Sequence, residues 1–268
     1  MSANPSPATP NATGAATQAP ETRFAWQTCL DFHNSDGHIY QNHFNPALLD
    51  VFAQAPRTLL DIGCAAGLLG EAVKSRNPGC RVIGIEPNQA TADMAAKKLD
   101  QVLCGKFEDF NLEAEGIAHG SIDTVIAADV LEHMYDPWRV MTGLKPYLSK
   151  DAQVILSIPN TRHLGLIKGL MDDGVWPYAE RGLLDITHIR FFTLREIAAF
   201  LEQTGYKPEF VNFFIDPSLE SFYAQNRDKP EINIRVGRIT MERLHPKELA
   251  ELCAWQFFVR ARPAWDKP

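Results

Sequence analysis

The chain has 268 residues, 45% of them hydrophobic and 22% charged, the make-up of a globular protein with a core and not of a fibrous or unfolded one. A formal charge of -7 at pH 7 argues against gripping nucleic acid or an anionic membrane through the overall field, and no run reaches the roughly 18 apolar residues of a membrane span. Five cysteines (Cys29, Cys64, Cys80, Cys104 and Cys253) are scattered without Cys-x-x-Cys spacing, which points away from a disulfide framework or a zinc site and fits the cytoplasm.

Residues 1–22 are almost entirely Ala, Pro, Thr, Ser, Asn and Gly, too poor in large apolar groups to offset chain entropy; a disordered tail is expected, without the features of a targeting peptide. Residues 23–57 read as a helical cap, in which Pro46 to Phe52 places apolar groups at helical spacing behind a proline suited to a first turn. From residue 58 onward strand-like and helical runs alternate: Thr58 to Ile62, a helix through Lys74, Arg81 to Ile85, a helix from Gln89 to Leu99, and Gln101 to Cys104. Ile122 to Ala127, a helix from Pro137 to Leu148, and Gln153 to Ile158 continue the series. Strand and helix in strict turn predict a parallel sheet covered on both faces.

The alternation stops between Pro159 and Thr187, where Gly165, Gly169, Gly174, Trp176, Pro177 and Tyr178 indicate an insertion over the sheet's ligand edge, a lid at about 160–187. Beyond it, Thr193 to Thr204 reads as a helix with Thr193 as N-cap and Glu196 at capping-box spacing, and Lys207 to Phe214 and Trp255 to Arg260 read as two closing strands.

The strongest signal is Asp61-Ile-Gly63-Cys64-Ala65-Ala-Gly67, where a buried strand runs through a glycine turn into a helix. Small residues there let backbone N–H groups approach a ligand, and Glu86 ends the next strand 19 residues beyond Gly67, where a carboxylate can accept both hydroxyls of a ribose. A nicotinamide site wants Gly-x-Gly-x-x-Gly instead. Asp61, ahead of the turn, suits a ligand with a cationic amino-acid end and not a pyrophosphate.

This segment resembles the first motif of class I S-adenosylmethionine-dependent methyltransferases, Asp-x-Gly-x-Gly-x-Gly, with Ala65 in place of the middle glycine, a change that is tolerable if Ala65 has negative φ. Glu86-Pro87, then Phe107-Glu108-Asp109, then Asp129-Val130-Leu-Glu132-His133 follow in the family's order. The resemblance implies a doubly wound, seven-stranded, mostly parallel sheet with its last strand antiparallel, and S-adenosylmethionine as cofactor with S-adenosylhomocysteine as product. It places Asp61, Gly63, Cys64, Ala65 and Gly67 at the methionyl end and Glu86 and Pro87 at the ribose. The Phe107 N–H and the Glu108 carboxylate fall at the adenine, and Asp129 and Val130 beside the methionyl group. The plainer reading of Glu108 and Asp109 is a solvated acidic turn.

Methyl transfer to a hydroxyl also needs a proton acceptor. His188, in Asp185-Ile-Thr187-His188-Ile-Arg190-Phe191-Phe192, and His133 are the candidates, against a structural histidine bonded to backbone. The His188 segment is similar to one in methyltransferases acting on sugar, polyketide or lipid-linked hydroxyls, so the expected acceptor is a small molecule or glycan-type hydroxyl. Asp129, Glu132 and His133, at i, i+3 and i+4, share one face of a helical turn. With His188 they resemble the divalent-metal set of small-RNA 3′-end 2′-O-methyltransferases and of ubiquinone-pathway O-methyltransferases. The same run occurs in metal-independent relatives, and a metal is not the favoured reading. RNA methylation meets an acidic chain with no basic stripe, and a non-catalytic cofactor-binding partner or sensor is the other alternative. Trp176, Tyr178, Phe191 and Phe192 are candidate walls for the acceptor, Arg162, Arg181 and Arg190 candidate anion holders, and Tyr40 a candidate contact to the cofactor's carboxylate.

Overall fold

A strand with apolar side chains on both faces needs cover on both sides, and β1 (Thr58–Ile62) has it: Leu59, Leu60 and Ile62 are all buried. In the computed structural model, which describes residues 43–265, β1 pairs in parallel with β2 (Arg81–Glu86) on one side. β3 (Gln101–Cys104) extends that half, while β4 (Ile122–Ala128) and β5 (Leu148–Pro159) continue the sheet from the other edge of β1. β6 (Tyr206–Ile215) closes the far edge, and a separate hairpin is formed by β7 (Ile232–Val236) and β8 (Ile239–Leu244). β9 (Ala254–Pro263) is inserted antiparallel between β5 and β6, giving the order β3-β2-β1-β4-β5-β9-β6. This is the expected seven-stranded sheet with its last strand antiparallel. Strand order reverses between β1 and β4, so their carboxyl ends open the crevice where α/β sheets bind ligands.

The helices are α1 (Leu68–Arg76), α2 (Gln89–Ala95), α3 (Pro137–Leu144), α4 (Leu164–Lys168), α5 (Leu194–Gln203), α6 (Glu220–Asn226) and α7 (Pro246–Cys253). Two end earlier than the sequence predicts. α2 stops at Ala95, because the chain must turn for the Asp100 carboxylate to accept the Val82 N–H at 2.8 Å. α3 stops at Leu144, passes through a 3-10 turn at Lys145–Tyr147 containing Pro146, and Leu148 already belongs to β5. The Pro46–Asp50 segment is a 3-10 turn whose N-cap, Asn45, accepts the Ala47 N–H. Thr193 caps α5 as predicted, its hydroxyl accepting the Glu196 N–H at 3.3 Å. The predicted tail at 1–22, the cap as far as residue 42, Cys29 and Tyr40 lie outside the described residues.

The sequence reading found no elements between its two closing strands, yet α6, β7, β8 and α7 fill that interval. Ile232, Ile234, Leu244, Leu249 and Leu252 form a satellite core with Leu164 of α4. The segment read as a lid, which carries α4 and a π-helical turn at Gly169–Asp173, is therefore packed on this added layer. Polar contacts reinforce the union. Asn160, fully buried, donates to the carbonyls of Glu251 and Ala254 at 2.6 and 2.8 Å, and His163 Nε2 is 3.1 Å from Asp216. Arg162 donates to Glu251 of α7 at 2.7 Å.

Candidate active site

The loop from β1 to α1 requires positive φ at Gly63 (+71°) and Gly67 (+78°), as the glycine spacing implies. An added Cβ at Gly63 would lie 2.7 Å from Val130 Cγ2, so the loop after β1 and the loop after β4 touch at this point. Ala65 departs from the expectation of negative φ: it has φ +46°. An L-residue in that region costs roughly 1–2 kcal/mol. Its N–H is placed by that conformation to donate to Glu86 Oε2 at 3.0 Å. The Cys64 thiol is buried in contact range of Gly84, and burial and the Asp61 carboxylate push its pKa up, so it packs into the sheet as an inert group.

Asp61 is 2% exposed, and its Oδ2 has no hydrogen-bond partner among the described residues. Burial, and then the nearby Glu86 carboxylate, push its pKa up to about 7. Glu86 is also buried, and burial raises it; the N–H groups of Asn88 (to Oε1, 2.9 Å) and Ala65 act in the opposite direction. A carboxylate oxygen left bare in the interior, beside a loop that only near-absent side chains allow, fits a ligand bearing a cationic amino-acid end. Pro87 is exposed where β2 ends. Phe107 is buried at the start of a 3-10 turn, Phe107–Asp109, and Glu108 is exposed on it; Asp109 Oδ2 takes the Lys106 N–H at 3.0 Å as a cap.

After β4, Asp129 adopts φ +54° and its Oδ1 accepts from Ser157 Oγ at 2.7 Å. The 3-10 turn begins only at Leu131, so Asp129 does not share a helical face with Glu132 and His133 as the spacing predicts. The structure instead brings together Glu132, His133 and His188, whose ligand-type atoms all lie within 4.8 Å of one another. Glu132 is 2% exposed; neither of its oxygens accepts a hydrogen bond among the described residues, and Oε1 is 4.0 Å from His188 Nε2. Burial first, then Asp129 and Asp185, hold its carboxyl well above the usual range. Its carbonyl accepts the N–H groups of Ile189 and Arg190, which pins the His188 segment to the end of β4. The His133 and His188 rings meet edge-on at 4.8 Å. Thr187 Oγ1 joins His133 Nδ1 (2.9 Å) to Asp185 Oδ1 (2.7 Å). Sequence reading did not single out Asp185 and Thr187 as site residues, although the Asp-x-Thr-His run was visible.

Trp176 meets Phe191 edge-on at 5.7 Å, and Tyr135, Met171, Tyr178, Ile189 and Phe191 are exposed. Phe192 does not serve as a wall there; it is buried against Phe200 in the core. The Arg190 guanidinium lies over the Tyr135 ring and bonds its carbonyl. A cavity of about 290 Å³ lined by Leu49, Phe52 and Val73 lies elsewhere and contains none of these residues.

Fold, loop and acidic pair define a class. The methyltransferase-domain family model matches residues 37–209, and the chain belongs to that family, within the class I S-adenosylmethionine-dependent methyltransferases. Its cofactor pair is S-adenosylmethionine and S-adenosylhomocysteine. The ubiquinone biosynthesis O-methyltransferase of Pseudomonas paraeruginosa is 34% identical over 110 residues, 40% of this chain and 46% of that protein. The protein of the same name from Dechloromonas aromatica is 28% identical over 174 residues, 62% of this chain and 72% of that one. The chain thus spans about half the length of the first of these relatives. A crystal structure of a SAM-dependent methyltransferase from Archaeoglobus fulgidus superposes with a TM-score of 0.55 at 16% identity, over 89% of this chain and 99% of that one, which shows the shared fold. No helix among the described residues is long and apolar enough to cross a membrane.

Proposed function

We propose that the protein transfers the methyl group of S-adenosylmethionine to a hydroxyl of a small-molecule acceptor, sugar and glycan-type acceptors included. The observation that carries this reading is the convergence of Glu132, His133 and His188 at the end of β4, across Val130 from the glycine loop. Asp61 would face the cofactor's ammonium, Glu86 its ribose, and Phe107 and Glu108 its adenine edge. The relatives' name, ubiquinone biosynthesis O-methyltransferase, supports oxygen as the acceptor atom.

In this reading the acceptor oxygen forms the new C–O bond as the methyl–sulfur bond breaks in line, and the sulfonium charge is neutralised. The hydroxyl proton passes to a histidine, His188 with His133 beside it. Exposed Tyr135, Tyr178 and Phe191 would hold the acceptor's ring, and the segment at 160–187 would cover it.

Release of S-adenosylhomocysteine with a panel of hydroxylated acceptors tests the proposal. Activity is expected to survive chelation and to fall at least a hundredfold in His188→Ala. Activity indifferent to His188→Ala would remove the base assignment.

A second reading is favoured by one observation, the buried Glu132 carboxylate beside two imidazoles, its oxygens without a hydrogen bond among the described residues. These three residues fit a divalent cation, which would supply a lowered pKa to a bound hydroxyl. Loss of activity on chelation, restored by Mn²⁺ or Mg²⁺, would transfer the role to that reading.

A further inference from the structure

We propose that Lys98 is a positioning residue for the cofactor, an ammonium clamp that holds the glycine loop in the left-handed conformation that Ala65 resists. The inference rests on the reading of this loop as the cofactor cradle. Lys98 Nζ donates to the Ala66 carbonyl at 2.7 Å and approaches the Met94 carbonyl at 3.4 Å. One side chain thereby ties the last turn of α2 to the residue that follows Ala65.

The packing makes this tie mechanical. An added Cβ at Gly67 would lie 3.1 Å from Ala95 Cα and 3.2 Å from Leu99 Cγ, so the loop rests directly on the turn that carries Lys98. The loop's backbone N–H groups are also engaged: Gly63 and Cys64 donate to the Ile85 carbonyl, Ala65 to Glu86 and Gly67 to the Cys64 carbonyl, while the Cys64 thiol lies 3.6 Å from the Ala65 carbonyl. The two-residue segment Ala65–Ala66 is held at its start by Glu86, through the Ala65 N–H, and at its end by Lys98, through the Ala66 carbonyl. A charge-assisted bond to a carbonyl is of the size needed to offset one strained alanine. Were the clamp released, Ala65 would relax toward negative φ, its N–H would swing away from Glu86, and the carboxylate that faces the ribose would lose one of its two backbone anchors. A glycine at position 65 would have no such strain to resist, so the need for Lys98 follows from the alanine.

Calorimetric titration of the full chain with S-adenosylhomocysteine tests the clamp. Lys98→Met is expected to bind about tenfold more weakly and to lose in KM for S-adenosylmethionine and not in kcat. Lys98→Arg is expected to stay within about threefold of wild type, and Ala65→Gly in the Lys98→Met background to restore affinity to within about threefold. Lys98→Met binding as tightly as wild type would overturn the proposal alone. So would a double variant as weak as Lys98→Met, or a tenfold loss in Ala65→Gly by itself, since the methyl group and not the backbone would then matter. A wild-type chain that does not bind the nucleoside would overturn the cofactor reading with it.

Discussion

The Thr187 hydroxyl and the His133 imidazole are in contact at 2.9 Å, and the direction of that bond is fixed by a third group. The hydroxyl gives its single proton to Asp185 Oδ1, so its oxygen accepts from His133, whose Nδ1 therefore carries a proton. In the neutral ring the lone pair then lies on Nε2. Asp185 Oδ1 also takes the Thr187 N–H at 2.9 Å, which makes the arrangement rigid.

Thr187→Val should accordingly lower kcat about 10–100-fold, while Thr187→Ser retains most of it. Steady-state kinetics checks this, together with titration of S-adenosylhomocysteine, whose affinity should stay within about threefold in both variants. Equal kcat in the Val and Ser variants would remove the tautomer from the account.

The raised Asp61 carboxyl makes cofactor binding depend on pH. Near pH 5.5 its proton must leave before a cationic amino-acid end can pair with it, so affinity should climb up to about tenfold per pH unit and level off above about 7. Asp61→Asn should flatten the curve and bind more weakly at pH 8. Calorimetry between pH 5.5 and 8 decides; a wild-type curve as flat as that of Asp61→Asn would reject the pairing.

In the proposed site Glu132 would trade stability for function. Its carboxyl is raised in the folded state, so the stability it contributes is fully present below the unfolded value of about 4.5 and is lost as pH rises toward the raised value. Glu132→Gln should therefore melt higher than wild type at pH 8, by roughly 2–4 °C per kcal/mol gained, with the gap narrowing at pH 5. Its kcat should drop at least tenfold. Melting curves at both pH values, read beside turnover, test this, and a variant less stable than wild type at pH 8 would show that the carboxylate is held favourably.

Glu86→Ala removes the acceptor of two backbone N–H groups as well as that proposed for the ribose. Lost bonds to a charged group of about 1.5–3 kcal/mol correspond to about 10–100-fold weaker binding of S-adenosylhomocysteine. Binding as tight as wild type would withdraw the ribose assignment.

Much of this was legible in the chain because it rests on local rules. Gly63 and Gly67 announce a backbone with φ > 0, and the strand–helix alternation announces a parallel sheet. Ala65 concealed its conformation because alanine ordinarily has negative φ, and the penalty is offset by Glu86 and Lys98, distant in sequence. Asp129 was misplaced by a helical period applied two residues too early. The β7–β8 hairpin had left a signal, Ile232, Ile234 and Val236 at a period of two before Gly237-Arg238, a two-residue turn with φ +57° at the glycine. The partnership of α4 with that hairpin left none, since it depends on which apolar faces meet after folding.

The most direct test of the account is a crystal structure of the chain soaked with S-adenosylhomocysteine, read at two carboxylates. The account predicts the ligand's ammonium within hydrogen-bond reach of Asp61 Oδ2, and both ribose hydroxyls within reach of the Glu86 carboxylate. A crevice that stays empty at saturating nucleoside, or a ligand whose amino-acid end points away from Asp61, would contradict it.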